Sequence, residues 1–185
     1  MTKLTEIVIR VVGSWNTKIF TPIWISETLL NFNIKDSLEI VFNKELQPAF
    51  IFKGIRIIPN ENYVDVLIFK AGQELTTETK EIAAKVVLNL MTTLPFTPKL
   101  GVGFNYKVEI DEEVEKKPDP LFPGFELTSF NLRKDEDDFQ LNLIISFENN
   151  SNVLFNFHVL NLESINSKTV DNHLEYINNL WKTRN

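Results

Sequence analysis

Two histidines, His158 and His173, are the only imidazoles in the chain, and so its only side chains suited to proton exchange near neutral pH. His158 lies between Phe157 and Val159 in an alternating stretch that also carries Leu154, Asn156 and Leu160. His173 lies beside Leu174 in a stretch with helical periodicity. A metal site needs three or four ligands at set spacing, and neither HxH nor HExxH occurs. Each histidine therefore reads as a partly buried group hydrogen-bonded to a neighbour. A hydrolytic reading would need one of them as base for a serine. Ser14, Ser26, Ser129 and Ser146 all lack the GxSxG elbow, so such a triad could only assemble in space.

The other polar motifs read as structural. The acidic run Asp135 to Asp138 lacks the alternating oxygen ligands, the sixth-position glycine and the twelfth-position glutamate of a calcium loop. It reads as a solvated hairpin tip that keeps a strand end charged and discourages edge pairing. Gly101-Val102-Gly103 has no third glycine and sits inside an alternating stretch, not between a strand and a helix, so it is no dinucleotide fingerprint. These glycines are expected to let a helix or another backbone pack closely. Arg10, Arg56 and His158 are candidate polar groups for a ligand pocket, but the sequence shows no convergence among them. Trp15, Phe20 and Trp24 can form one aromatic cluster, either as core or as a partner-binding patch.

Composition narrows the options further. The chain has 185 residues, 43% hydrophobic and 24% charged, with fifteen Phe against six Gly, as expected of an aromatic-rich globular core. A net charge of −6 with scattered Lys and Arg argues against a nucleic-acid or anionic-membrane binder. The absence of Cys removes disulfides, thiolate metal sites and thiol chemistry. No stretch approaches the ~18 apolar residues of a membrane span. Met1 to Val12 lacks the basic start and apolar run of a signal peptide, so a cytoplasmic location is expected. No metal and no cofactor are expected.

The elements that must position these residues are mostly strands. Alternation marks strands at Ile7 to Val11, Leu38 to Phe42, Ala49 to Ile58, Tyr63 to Phe69, Leu100 to Ile110, Phe125 to Arg133, Phe139 to Phe147 and Val153 to Leu162. Pro59-Asn60-Glu61-Asn62 reads as a hairpin turn, and the last three strands as an antiparallel meander. Helices are expected from Thr21-Pro22 to about Phe32, from Thr77 to Pro95, and over about Thr169 to Thr183. The class is α+β: a mostly antiparallel sheet of seven to eight strands with three helices, mainly on one face. The chain reads as one domain, 1–185. The charged and proline-bearing stretch 111–124 is an exposed connection between sub-lobes 1–110 and 125–185. Both halves follow a plan of hairpin then helix, without a residue-level repeat. The strands Leu100 to Ile110 and Phe139 to Phe147 and the helix Glu78 to Leu94 are expected to carry the core.

Leu94-Pro95-Phe96-Thr97-Pro98, leading into Gly103-Phe104-Asn105-Tyr106, resembles a pattern in an uncharacterised group of bacterial α+β proteins. There a helix ends in an LPxTP-like turn before a strand with a G-x-N-aromatic pattern. The resemblance implies the strand–helix–strand order and brings no activity or site residues.

Three functional readings follow. The first is a non-enzymatic protein-interaction, accessory or regulatory domain, with a protein partner or self-association. Asn105, Asn142 and Asn156 in mid-strand suggest a partly polar open face, and Val153 to Leu162 is a candidate edge for pairing across a dimer. The second is a small-ligand-binding domain. The third is a metal-independent enzyme using His and carboxylates.

Overall fold

The computed structural model describes residues 2–31, 38–43, 46–94, 97–110, 129–146 and 152–182. Nine strands form one sheet: β1 (Thr2–Gly13), β2 (Glu39–Asn43), β3 (Leu46–Phe52), β4 (Ile55–Pro59), β5 (Tyr63–Lys70), β6 (Lys99–Ile110), β7 (Ser129–Asp135), β8 (Phe139–Ser146) and β9 (Asn152–Val159). Their order is β2-β3-β4-β5-β1-β6-β9-β8-β7, and every neighbouring pair is antiparallel. The α+β class is as expected, but the described residues form nine strands, not seven to eight. The extra strand comes from the stretch Ala49 to Ile58, which folds back on itself at Lys53-Gly54. Both residues have positive φ, 43° and 83°, as in the two-residue turns whose twist matches that of the flanking strands. A lysine at the first turn position hides this from a search for Asn-Gly or Asp-Gly.

The three helices begin and end where local chemistry requires. Thr21 Oγ1 accepts a hydrogen bond from the Trp24 backbone N–H, capping α1 (Pro22–Trp24), which continues as a π-helical segment, Ile25–Leu30. Asn31, in the left-handed region at φ 49°, closes that segment. Thr76 Oγ1 accepts from the Thr79 N–H at the start of α2 (Thr77–Thr93). At its other end Lys99 Nζ donates to the carbonyls of Met91 and Leu94, at 2.6 and 2.7 Å. The lysine thus serves carbonyls that the helix itself leaves without partners. α3 (Thr169–Lys182) has Asp171 in its first turn and Lys182 in its last, both suited to the helix dipole. Among the described residues no helix is long and apolar enough to cross a membrane.

The sheet repeats one plan. In the first half β1 is followed by the β3-β4-β5 meander and α2; in the second, β6 is followed by β7-β8-β9 and α3. In each, the first strand returns beside the last strand of its meander, and the halves join where β1 pairs with β6. Val8 faces Asn105 midway along both strands. The shared plan read from the sequence is thus a topological repeat, and its halves meet between α2 and β6. The connection 111–124 lies outside the described residues, as do Phe32, Pro95, Phe125 and Phe147.

One face of the sheet is packed under the helices. Ile7, Ile9 and Val11 of β1, Val64 and Val66 of β5, Phe104 and Tyr106 of β6, and Phe155 and Phe157 of β9 are buried there with Val86, Val87 and Leu90 of α2. The expected core strand β6 holds. β8 contributes less than expected: only Leu141 is fully buried, while Phe139, Leu143 and Ile145 are half-buried, because β8 lies next to the edge. The interior strands β1, β5 and β9 carry that share instead. β9 pairs with β6 on one side and β8 on the other, so Val153 to Leu162 is not the open edge it was expected to offer.

Candidate functional site

Trp15, Phe20 and Trp24 do pack together. Trp15 and Phe20 meet edge-on with centroids 6.2 Å apart, and Phe20 and Trp24 at 5.1 Å. Trp15 and Phe20 are 4% and 5% exposed, and Trp24 is half-buried against the core. The cluster anchors the segment after β1, and Ile23, next to Trp24 in sequence, is 63% exposed.

His173 is held in an aromatic cage between α3 and the sheet. Its ring stacks on Phe157 at 4.1 Å with planes 10° apart, and Phe104, Tyr106 and Phe139 approach edge-on. Nδ1 lies 2.9 Å from Tyr106 Oη, and either ring tautomer can satisfy that pair. Burial pushes the imidazole down to about 4, so it is neutral at pH 7. Burial also raises the Tyr106 phenol well above its usual value, with Asp171 adding to the effect. This pair ties α3 to β6 and makes His173 a packed, satisfied group. Next to the cage, Lys80 of α2 pairs with Asp171 of α3 at 2.7 Å, linking the two helices.

His158 lies on the other face. β9 alternates, with Phe157 and Val159 toward the helices and His158 away from them, so the two histidines cannot meet in one site. That second face runs from β4 to β7 with no described helix over it. Its side chains form rows set by strand register. One row contains Ile58, Asp65, Arg10, Gly103, His158, Gln140 and Asp135. The next contains Arg56, Leu67, Val8, Asn105, Asn156, Asn142 and Arg133.

Much of this open face is ordered by its own contacts. Arg10 makes two parallel hydrogen bonds to Asp65, both 2.7 Å, and its guanidinium lies 4.0 Å above the Tyr63 ring. Hydrogen bonding to Asp65 is the main cause that raises Arg10 above its ordinary pKa. The three mid-strand asparagines form a ladder across the strands. Asn142 Nδ2 donates to Asn156 Oδ1 at 3.3 Å, Asn156 Nδ2 to Asn105 Oδ1 at 2.8 Å, and Asn105 Nδ2 to the Val8 carbonyl at 3.3 Å. Between these polar groups Val8, Ile58, Leu67 and Leu154 are half-buried, and Ile144 is 37% exposed. Two shallow depressions of about 380 and 340 Å³ lie along this face, sharing Glu6, Asn105 and Leu154.

The glycine pair belongs here too, in a different role from the one expected. Among the described residues no helix packs on it. A Cβ at Gly101 would stand 2.5 Å from His158 Cε1, and one at Gly103 would stand 3.1 Å from Asn156 Nδ2. The glycines make room for two neighbouring side chains of β9. Arg10 and His158 flank Gly103 in one row, on strands about 10 Å apart. Arg56 lies in the adjoining row, so the three candidate ligand groups share a face without converging on an enclosed cavity.

Position-2 alternation made the asparagines legible as a polar face. The Tyr106–His173 pair and the Arg10–Asp65 fork had no local signal, since both join positions far apart in the chain. The acidic tip is a set of surface pairs: Arg133 with Asp135 at 3.1 Å, and Lys134 with Glu136 and Tyr176. Among the described residues no group of three or more His, Cys, Asp or Glu is placed to hold a metal ion. Comparison with protein-family models, with curated proteins and with solved structures returned no match.

Proposed function

We propose that the protein is a non-enzymatic interaction domain that docks a protein partner on the open face of its sheet, in an accessory or regulatory role. One observation supports this reading above the others: Val8, Ile58, Leu67 and Leu154 lie between polar groups already fixed by the Arg10–Asp65 fork and the asparagine ladder, on a face no described helix covers. Polar side chains held in place lose little freedom on binding, and an interface of mixed polarity is typical of proteins that also exist free. The complementary partner is a folded surface with apolar side chains for the gaps and hydrogen-bonding groups opposite the asparagines. A small ligand fits less well, because the depressions on this face are shallow and open.

The test is purification from the cell of origin with the substitutions Leu67→Arg and Leu154→Arg. Both side chains are half-buried on the open face, so each variant is expected to melt within a few degrees of the parent. The expected result is a partner at fixed stoichiometry with the parent and its loss with both variants. A parent that purifies alone, with variants that fully replace it in the cell, would falsify this reading.

A further inference from the structure

His173 is the one buried titratable side chain of α3, and it lies at the centre of what holds that helix to the sheet. The helix contributes Val170, His173 and Ile177 to the interior, with Thr169 at its start. Phe104 and Tyr106 of β6, Phe139 of β8 and Phe157 of β9 surround the imidazole, and the Tyr106 hydroxyl is its hydrogen-bond partner. Two polar ties nearer the surface complete the attachment. Lys80 Nζ donates to both Asp171 oxygens at 2.7 and 2.9 Å, and Tyr176 Oη donates to Glu136 Oε1 at 3.0 Å. None of the strand pairings of the sheet runs through α3, so the helix can leave without breaking one.

We propose that α3 is a latch that acid opens: protonation of the His173 ring releases the helix while the nine-stranded sheet stays paired. The charged groups around the ring leave an imidazolium without a counter-ion. From α2, Lys80 is already paired with Asp171; from β7 and its turn, Lys134 is paired with Glu136 beside Tyr176. The strands beneath supply apolar rings and the Tyr106 hydroxyl, which is neutral and itself buried. A proton taken up in place therefore sits as a charge among aromatic rings, whereas on the released helix water solvates it. Opening lays bare Phe104, Tyr106, Phe139 and Phe157 together. The latch lies on the helix side of the sheet and requires nothing of the partner proposed for the other face.

Amide hydrogen exchange of the purified protein at pH 7 and pH 4.5, expressed as protection factors, tests the latch. At pH 7 the amides of α3 are expected to open more readily than those of β1 and β6. The folded ring titrates near 4 and a released one near 6.5, so the closed state is favoured above that window and loses ground as the pH falls through it. The opening constant of α3 should rise on the order of fiftyfold between pH 7 and pH 4.5. His173→Gln keeps a hydrogen-bonding group near Tyr106 and does not titrate, so its α3 should change only a few-fold. His173→Phe keeps a ring in the cage and is the second non-titrating variant, with the same expectation. Protection of α3 equal to that of β1 and β6 at pH 7, or a parent-like pH response in either variant, would overturn the proposal. So would an NMR titration that places His173 of the folded parent at or above its ordinary value.

Discussion

The His173 imidazole lies flat on the Phe157 ring, centroids 4.1 Å apart, and this contact joins the last helix to the ninth strand. The folded protein holds that ring neutral down to about pH 4, whereas an unfolded chain protonates it near 6.5. The folded pKa is depressed, so the stabilisation is complete above pH 6.5 and lost as the pH falls toward 4. The expected loss is about 3 kcal/mol across that window. Urea unfolding of the parent and of His173→Phe, at pH 7 and pH 4.5, measures it. Equal pH slopes in the two proteins would refute the assignment.

Gly13 lies where a backbone passes closest. A Cβ there would stand 2.6 Å from the Pro98 carbonyl oxygen and 3.1 Å from Trp15 Nε1. At Gly103 the nearest atom is the Asn156 side-chain nitrogen at 3.1 Å, so a few tenths of an ångström of adjustment within the asparagine ladder relieves the contact. Gly13→Ala should therefore cost about 2–3 kcal/mol and Gly103→Ala about 1 or less. Thermal melting of the two variants gives the ranking, and the reverse order would contradict the packing described.

Arg10 and Asp65 form a two-pronged pair on the open face, with Asp65 the less exposed partner. A double-mutant cycle of Arg10→Met and Asp65→Asn should show a coupling of about 1 kcal/mol, limited by the exposure of Arg10 to water. Arg10→Lys should not restore it, because an ammonium cannot make both bonds or lie as a plane over Tyr63. Full rescue by lysine would mean that the fork geometry contributes nothing.

Leu90 and Phe104 are 0% and 1% exposed, on the helix and strand faces that meet in the core. An aspartate at either site would bury an unpaired charge. Soluble expression should be lost for Leu90→Asp and for Phe104→Asp alike; normal yield of both would remove these positions from the core.

Strand alternation and the first helix cap were strong local signals, and most of the elements they marked lie among the described residues, though Ala49 to Ile58 is two strands and the strand from Val153 ends at Val159. Thr21 and the stripe through Val86 and Leu90 needed nothing beyond their neighbours in sequence. The turn at Lys53-Gly54 was missed because a lysine rarely adopts positive φ and carries no turn signature. The interior position of β9 was missed for a different reason: which strand lies at an edge depends on pairings with β6 and β8, and periodicity is blind to both. The same limit applied at the candidate site. Asn105, Asn142 and Asn156 were each readable as polar mid-strand residues, but their alignment into one ladder is a matter of register.

The pairing of β1 with β6 also has a consequence for the order of folding. Asn105 and the Val8 carbonyl it bonds are 97 positions apart, and β1 must pair with both β5 and β6. On a ribosome, the earliest strand of the sheet therefore waits with an unfilled edge until α2 has been made and β6 follows it. Closing so long a loop before any contact repays it is slow, so the rate of folding should depend on when β6 arrives. The central seam can then close only after α2 is made, and β9, which fills the other edge of β6, is made later still.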